Sequence, residues 1–199
     1  MTVTKPLALA AAAVLALAGC SSHPSATQPA ESPGAEPTIL AAYDLAGLDG
    51  RQIVDELERA PVDARHSDLM ASVRHGELLL WENGSDEQTV VDLPDDLFYL
   101  SVAPYVEQTH DCYFHSLTTC LGELAGEEVH VTITDRDTGE LLVDEVTETF
   151  DNGFVGFWLP SGVEATIRIE HDGQSASEDI STGPDDLTCL TTMQLVPSA

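Results

Sequence analysis

The hydrophobic pattern first becomes helical near residue 50. Asp49 has the side chain of an N-cap, and Gln52 stands three residues later, where a capping box places a glutamine or glutamate. Apolar residues then recur at the spacing of one helix face until Pro61 ends the run, and they are Ile53, Val54 and Leu57. The pattern therefore predicts a short amphipathic helix with a single apolar stripe.

From residue 69 onward the pattern changes to short apolar runs separated by turn-forming residues. The early runs cover residues 69–73, 78–81, 89–91 and 97–102. The later ones begin with alternating Val129, Val131 and Ile133 and continue over residues 141–143, 154–159, 165–169, a return toward Ile180, and 187–196. We therefore predict an α+β fold that is mostly β, in which a short N-terminal helix and strands precede an antiparallel β-sandwich.

The order of strands and Asx-Gly turns after residue 104 resembles the small Ig-like or transthyretin-like sandwiches of secreted proteins. On this basis we expect two folded regions. The first is an N-terminal α+β subdomain over residues 39–104, and the second is a cysteine-bearing β-sandwich domain over residues 105–199.

Residues 1–19 have the pattern of an export signal. Their apolar run, from Leu7 to Leu17, is too short to span a bilayer. It ends in Leu17-Ala18-Gly19-Cys20, which resembles the lipobox of bacterial lipoproteins. We therefore expect a lipid on Cys20 that anchors the protein to the membrane outside the cytoplasm, followed by a flexible tether over residues 20–38. Ordinary cleavage and secretion is the alternative.

The charge of the chain limits the classes of partner. Seven Lys and Arg residues stand against 35 Asp and Glu, and Lys5 is the only lysine. A surface this acidic repels nucleic acid and anionic lipid headgroups. Carboxylates attract cations weakly but select no soft metal, so we interpret the charge as a source of solubility.

Three cysteines remain in the chain after Cys20, and they are Cys112, Cys120 and Cys189. In an oxidising compartment an odd count leaves at least one cysteine free, shared with another molecule or bound to a metal. A helix would separate Cys112 from Cys120 by roughly 12 Å along its axis, and a strand by about 27 Å. We therefore expect the chain to reverse between them in a hairpin or loop, with Cys189 brought in by a distant strand.

The common catalytic motifs are absent. The sequence contains no Gly-x-Ser-x-Gly elbow, phosphate loop, dinucleotide fingerprint or His-Glu-x-x-His pair. Asp137-Thr138-Gly139 has the letters of an aspartic-protease triplet, but it lies between two strand runs and is interpreted as a turn. We assign no catalytic residue.

The cysteine-rich region and its surroundings resemble the CueP family of extracytoplasmic copper-binding proteins. The resemblance extends from about Leu48 to Leu195 and is carried by residues 98–106, 110–120, 122–124, 150–154, 156–160 and 188–192. It implies copper binding through Cys112, Cys120 and Cys189. His110, His115 and Met193 are weaker ligand candidates.

Elementary chemistry agrees with this implication, because Cu(I) is a soft ion that prefers thiolates. If the C-terminal residues 187–196 form one strand, Cys189 and Met193 lie on the same face, although a methionine there is more often core. A zinc site of three cysteines and one histidine is the alternative metal centre. A disulfide between two of the cysteines, with the third buried and inert, also stays open.

Our hypothesis is a copper-binding protein that sequesters or transfers Cu(I) and contributes to copper homeostasis and resistance. The alternatives are a thiol-dependent Cu(II) reductase and a non-catalytic surface module held by a disulfide. A copper-acceptor protein and a homodimer are left open as partners.

Overall fold

The computed structural model describes residues 38–198, so the predicted signal, Cys20 and most of the tether lie outside the described residues. Within residues 38–198 the helices are α1 (Thr38–Ala42) and α2 (Gly50–Arg59), followed by a 3-10 turn at Val62–Ala64. None of the helices in this part of the chain is long and apolar enough to cross a membrane. The strands are β1 (Leu69–Arg74), β2 (Glu77–Glu82), β3 (Thr89–Asp92), β4 (Leu97–Val102), β5 (Glu128–Asp135), β6 (Leu141–Glu148), β7 (Val155–Pro160), β8 (Glu164–His171), β9 (Gln174–Ser181), β10 (Cys189–Leu190) and β11 (Val196–Pro197).

The predicted helix is confirmed together with its capping box. The Asp49 carboxylate accepts from the Gln52 N–H at 2.8 Å, and the Gln52 side chain accepts from the Asp49 N–H at 3.0 Å. The stripe of Ile53, Val54 and Leu57 is buried, so packing fixes which face of α2 points inward. α2 ends at Arg59, two residues before Pro61, because the residue before a proline disfavours the helical conformation.

The strands form three sheets. β1-β2-β3 is an antiparallel meander, β10-β4-β7 is a short mixed sheet, and β11-β9-β8-β5-β6 is a five-stranded antiparallel sheet. Apolar side chains of the short sheet and the five-stranded sheet share one core, as expected for a sandwich. The mostly β fold class predicted from the pattern is therefore confirmed.

β4 is buried on both faces. Phe98, Leu100 and Val102 face the sandwich core, whereas Tyr99 belongs to a second core that includes α2 and the meander. The short sheet is thus the middle layer of the molecule. β4 also pairs with β7 across the proposed boundary between residues 104 and 105, and that boundary stays a prediction.

The C-terminal residues differ from the single strand predicted over residues 187–196. β10 pairs in parallel with β4 of the short sheet, whereas β11 pairs antiparallel with β9 of the five-stranded sheet. The chain therefore passes from one sheet to the other, and residues 191–195 between β10 and β11 belong to neither strand. Cys189 is held in the first of the two short strands.

Candidate metal centre

The loop between β4 and β5 carries Cys112, His115 and Cys120, and β1 holds one side of it. The Val73 N–H donates to the His115 carbonyl, and the Leu117 N–H donates to the Ala71 carbonyl, both at 2.9 Å. Leu117 is fully buried in the core of α2 and the meander. The expected chain reversal between the two cysteines is therefore present as an irregular loop fastened to a sheet edge.

β10 fastens the other side of this loop and brings in the third cysteine. The N–H groups of Thr188 and Cys189 donate to the Tyr113 carbonyl at 2.9 and 3.2 Å. The His115 N–H donates to the Thr188 hydroxyl at 2.9 Å. These bonds place a residue that is distant in sequence directly beside the loop.

The three sulfur atoms converge at this point. Cys112 and Cys189 form a disulfide, with their Cα atoms 5.7 Å apart, and Cys120 is a free cysteine. The Cys120 sulfur lies 3.6 Å from the Cys112 sulfur. The pairing that the sequence left open is therefore 112 with 189, across 77 residues, and not the short loop from 112 to 120.

Two imidazoles lie close to the sulfurs, one of them buried and the other exposed. His115 is fully buried, and its Nδ1 is 3.5 Å from the Cys189 sulfur. Ligand atoms of His115, Cys120 and Cys189 all lie within 4.8 Å of one another, and the same holds for His110, Cys112 and Cys120. His110 is exposed, so one group of donors faces solvent and the other lies inside, with Cys120 common to both.

A residue that the sequence analysis did not select completes the buried side. The Glu58 side chain of α2 is 1% exposed, and its carboxylate lies 2.9 Å from His115 Nε2. It also accepts hydrogen bonds from Asn152, Tyr99 and Ser101, at 2.6, 2.9 and 3.2 Å. The available signal was its position four residues after Val54, which places a charged residue in the apolar stripe of the helix.

The Glu58–His115 contact shifts the pKa of both groups. Burial alone lowers the pKa of His115, but the charge of Glu58 and hydrogen bonds with Cys120 and Glu58 outweigh it and raise the pKa to about 9. Burial alone raises the pKa of Glu58, but the His115 charge and hydrogen bonds from His115, Asn152 and Tyr99 lower it below its ordinary value. The two groups therefore form an ion pair in the metal-free protein.

The floor of the site is apolar. Cys189 packs with Ala103 and the fully buried Phe154, and the sulfurs of Cys112 and Cys120 lie against the same cluster. The His115 ring packs against Phe154 at an interplanar angle of 51°, with the ring centroids 4.6 Å apart. An apolar floor raises the cost of leaving charges unpaired and strengthens metal–thiolate attraction.

The other candidates lie elsewhere. Met193 is fully buried in the sandwich core, whereas Cys189 belongs to the small cluster at the site, and this packing favours a core role for the methionine. His130 points to the outer face of β5, where its Nε2 lies 2.8 Å from Asp144. The donors at the site are three sulfurs and two imidazoles, a set that fits copper or zinc and does not fit hard cations.

Comparisons with known proteins agree with this donor set. The family model described as periplasmic copper-binding protein CueP matches residues 52–194. A solved structure titled "Crystal Structure of S.CueP" is 36% identical to the chain, covers 83% of it and 99% of its own length, and superimposes with a TM-score of 0.75. A search of curated proteins found no significant match. The chain therefore belongs to the CueP family of periplasmic copper-binding proteins.

Proposed function

We propose that this protein binds Cu(I) through Cys112, Cys120 and Cys189 and sequesters or transfers it, contributing to copper homeostasis outside the cytoplasm. The observation that supports this most directly is the convergence of three sulfurs and two imidazoles on one loop and one strand. Thiolates and imidazoles are the ligands that copper prefers. Membership of the CueP family indicates that the metal is copper, and the donor geometry supports this position for the site.

Because of the disulfide, the oxidised and reduced forms of the protein offer different ligands to copper. A disulfide sulfur carries no thiolate charge, so Cys112 and Cys189 become full ligands only after a dithiol reductant supplies two electrons and two protons. Before reduction, Cys120 is the one free thiol among the described residues. We expect the reduced form to hold one Cu(I) per chain, far more tightly than Zn(II).

A series of single substitutions tests the site. Reduced protein is titrated with Cu(I) against a chromogenic competitor. Replacing Cys112, Cys120 or Cys189 by Ser should each weaken binding, while His130→Ala, at a half-buried position on the outer face of β5, should bind like the wild type. If Cys189→Ser retains full affinity, a Cys112/Cys120 pair must replace the three-sulfur site.

A Cu(II) reductase is the second candidate, and the Cys112–Cys189 disulfide favours it. Two thiols that reduce two Cu(II) ions would form this disulfide, release two protons and leave Cys120 as a thiol. Anaerobic mixing of fully reduced protein with Cu(II) should then yield two Cu(I) ions per disulfide formed. Absence of Cu(I) would leave the binding role alone.

We further propose that a lipid on Cys20 anchors the protein to the membrane and that residues 20–38 act as a tether. The lipobox-like Leu17-Ala18-Gly19-Cys20 supports this proposal. A copper-acceptor protein would then have to reach the exposed side of the site, where His110 lies.

A further inference from the structure

The buried carboxylate of Glu58 is surrounded by hydrogen-bond donors. The Tyr99 and Ser101 hydroxyls donate to it from β4. The Asn152 amide donates to it from the turn before β7. His115 approaches from the metal loop. Each of these groups uses a proton in the contact, so the carboxylate acts only as an acceptor, and the His115 Nε2 that faces it carries a proton.

This contact fixes the direction of the His115 ring. With Nε2–H directed at Glu58, the other ring nitrogen, Nδ1, faces the Cys189 sulfur at 3.5 Å. Phe154 supports the ring from below, and the His115 side chain has no exposed surface. The ring therefore cannot turn over without breaking its bond to the carboxylate and leaving a buried donor unpaired.

The fold makes room for this arrangement. A Cβ at position 156 would collide with the Tyr99 side chain at its hydroxyl end, so Gly156 leaves the space in which that hydroxyl reaches Glu58. Stability alone does not require a charge there, because apolar residues of similar size usually replace a buried ion pair at no cost. A carboxylate behind an imidazole is, however, the arrangement that orients metal-binding histidines in proteins.

We infer that Glu58 is a positioning residue for the metal centre. Glu58 holds the His115 ring so that His115 binds the metal through Nδ1, together with the cysteine sulfurs. This inference rests on the proposed Cu(I)-binding function and adds to it a fourth ligand, the ligating atom and the group that orients it. When the metal binds, Nε2 keeps its proton and continues to donate it to the Glu58 carboxylate. The metal displaces the proton on Nδ1.

Long-range ¹H–¹⁵N NMR on reduced protein loaded with Cu(I) tests the ligand atom, because this form is diamagnetic. In the wild type, His115 should show a protonated Nε2 and a metal-shifted Nδ1. Glu58→Gln places amide N–H groups among four donors, so the ring loses its fixed orientation. Affinity for Cu(I) should fall 10- to 100-fold, and the His115 signature should change.

Tyr99→Phe is the matched control. It removes one hydrogen bond from the same carboxylate without touching His115, so it reports on loosening of the network. Its Cu(I) affinity should fall clearly less than that of Glu58→Gln, and its His115 signature should be unchanged, because the carboxylate that faces Nε2 is retained. If Tyr99→Phe and Glu58→Gln weaken binding equally, Glu58 has only a structural role and the inference is wrong.

The wild-type spectrum decides the question even if Glu58→Gln does not fold. Cu(I) binding that depends on the cysteines while His115 Nδ1 is unshifted, or is shifted at Nε2 instead, overturns this inference and leaves the proposed function intact. If reduced wild-type protein binds no Cu(I), the proposed function and the inference both fall.

Discussion

A charged residue in the apolar stripe of a helix costs free energy unless its charge is fully paired. Glu58 meets this condition through four donors, of which His115 is the charged one. The same histidine faces the sulfurs with its other nitrogen. One pair of side chains therefore links the core of the protein to its metal centre, and its ionisation contributes to stability.

Stability of the metal-free protein should therefore depend on pH through His115. The folded pKa of about 9 exceeds the ordinary value of 6.5, so the contribution is complete below pH 6.5 and is lost as pH rises through 9. The lowered pKa of Glu58 acts in the opposite direction and removes stability only as pH falls below 4.5. Urea unfolding should show a loss on the order of 3 kcal/mol between pH 6 and 9.5.

His115→Gln is the comparison for this measurement, since it keeps a neutral donor near Glu58 and all three cysteines. Its unfolding free energy should change far less over the same range. His66→Gln, at an exposed position, should behave like the wild type. A wild-type slope that survives in His115→Gln would assign the alkaline loss to other groups.

At the scale of elements, the metal loop is shaped by the segments that touch it. β1 and β10 hold it on two sides, and the turn before β7 closes a third. The Gly122 N–H of the loop donates to the Asn152 carbonyl of that turn at 2.6 Å, and Gly153 of the turn has a φ of 77°. A side chain at 153 would meet the Gly122 backbone at 2.6 Å. The turn therefore sets the position of the chain just after Cys120.

Gly153→Ala should consequently destabilise the protein by more than its backbone conformation explains. Gly173→Ala is the matched control, because Gly173 has a φ of 75° and a Cβ there meets nothing within 4 Å. The control should cost about 1 kcal/mol for the left-handed conformation. Gly153→Ala should cost roughly 1–3 kcal/mol more because it forces the backbone of the loop to move.

Urea unfolding of the two variants gives this difference directly. Cu(I) affinity should fall with stability only in Gly153→Ala, because the displaced segment carries Cys120. Equal destabilisation in both variants would show that the close approach to Gly122 has no energetic weight.

For the whole molecule, the middle sheet determines how the parts fit together. Tyr99 and Ser101 on one face of β4 bind Glu58, while Phe98 and Leu100 on the other face enter the sandwich core. The metal centre lies where the loop, α2 and β10 meet this sheet. The proposed anchor, by contrast, lies in a segment far from this centre in sequence, so the two should be separable.

Cys20→Ala should move the protein out of the membrane fraction without changing the folded domain. The substitution removes the thiol to which the proposed lipid would attach. Without this lipid the acidic domain should remain in solution. Cell fractionation and mass spectrometry of the mature N-terminus check this, with Cu(I) affinity of the purified domain as the control. Wild-type protein that is soluble and free of lipid would refute the anchor.

Local patterns in the sequence determined much of this protein. The capping box at Asp49 and Gln52 and the alternation of Val129, Val131 and Ile133 depend on neighbours within a few residues, and the structure contains both. The region of the centre was also evident, because the family resemblance rests on short contiguous runs around Cys112 and Cys120 and is confirmed by the match over residues 52–194.

Only the tertiary structure decided which distant residues contact one another. The Cys112–Cys189 disulfide spans 77 residues, and three pairings were equally compatible with the sequence. The contact between Glu58 and His115 spans 57 residues, and the crossing of the C-terminal chain from one sheet to another depends on which strand edges are free. Such contacts form between residues that local periodicity cannot relate, because their proximity follows from how whole sheets and helices pack.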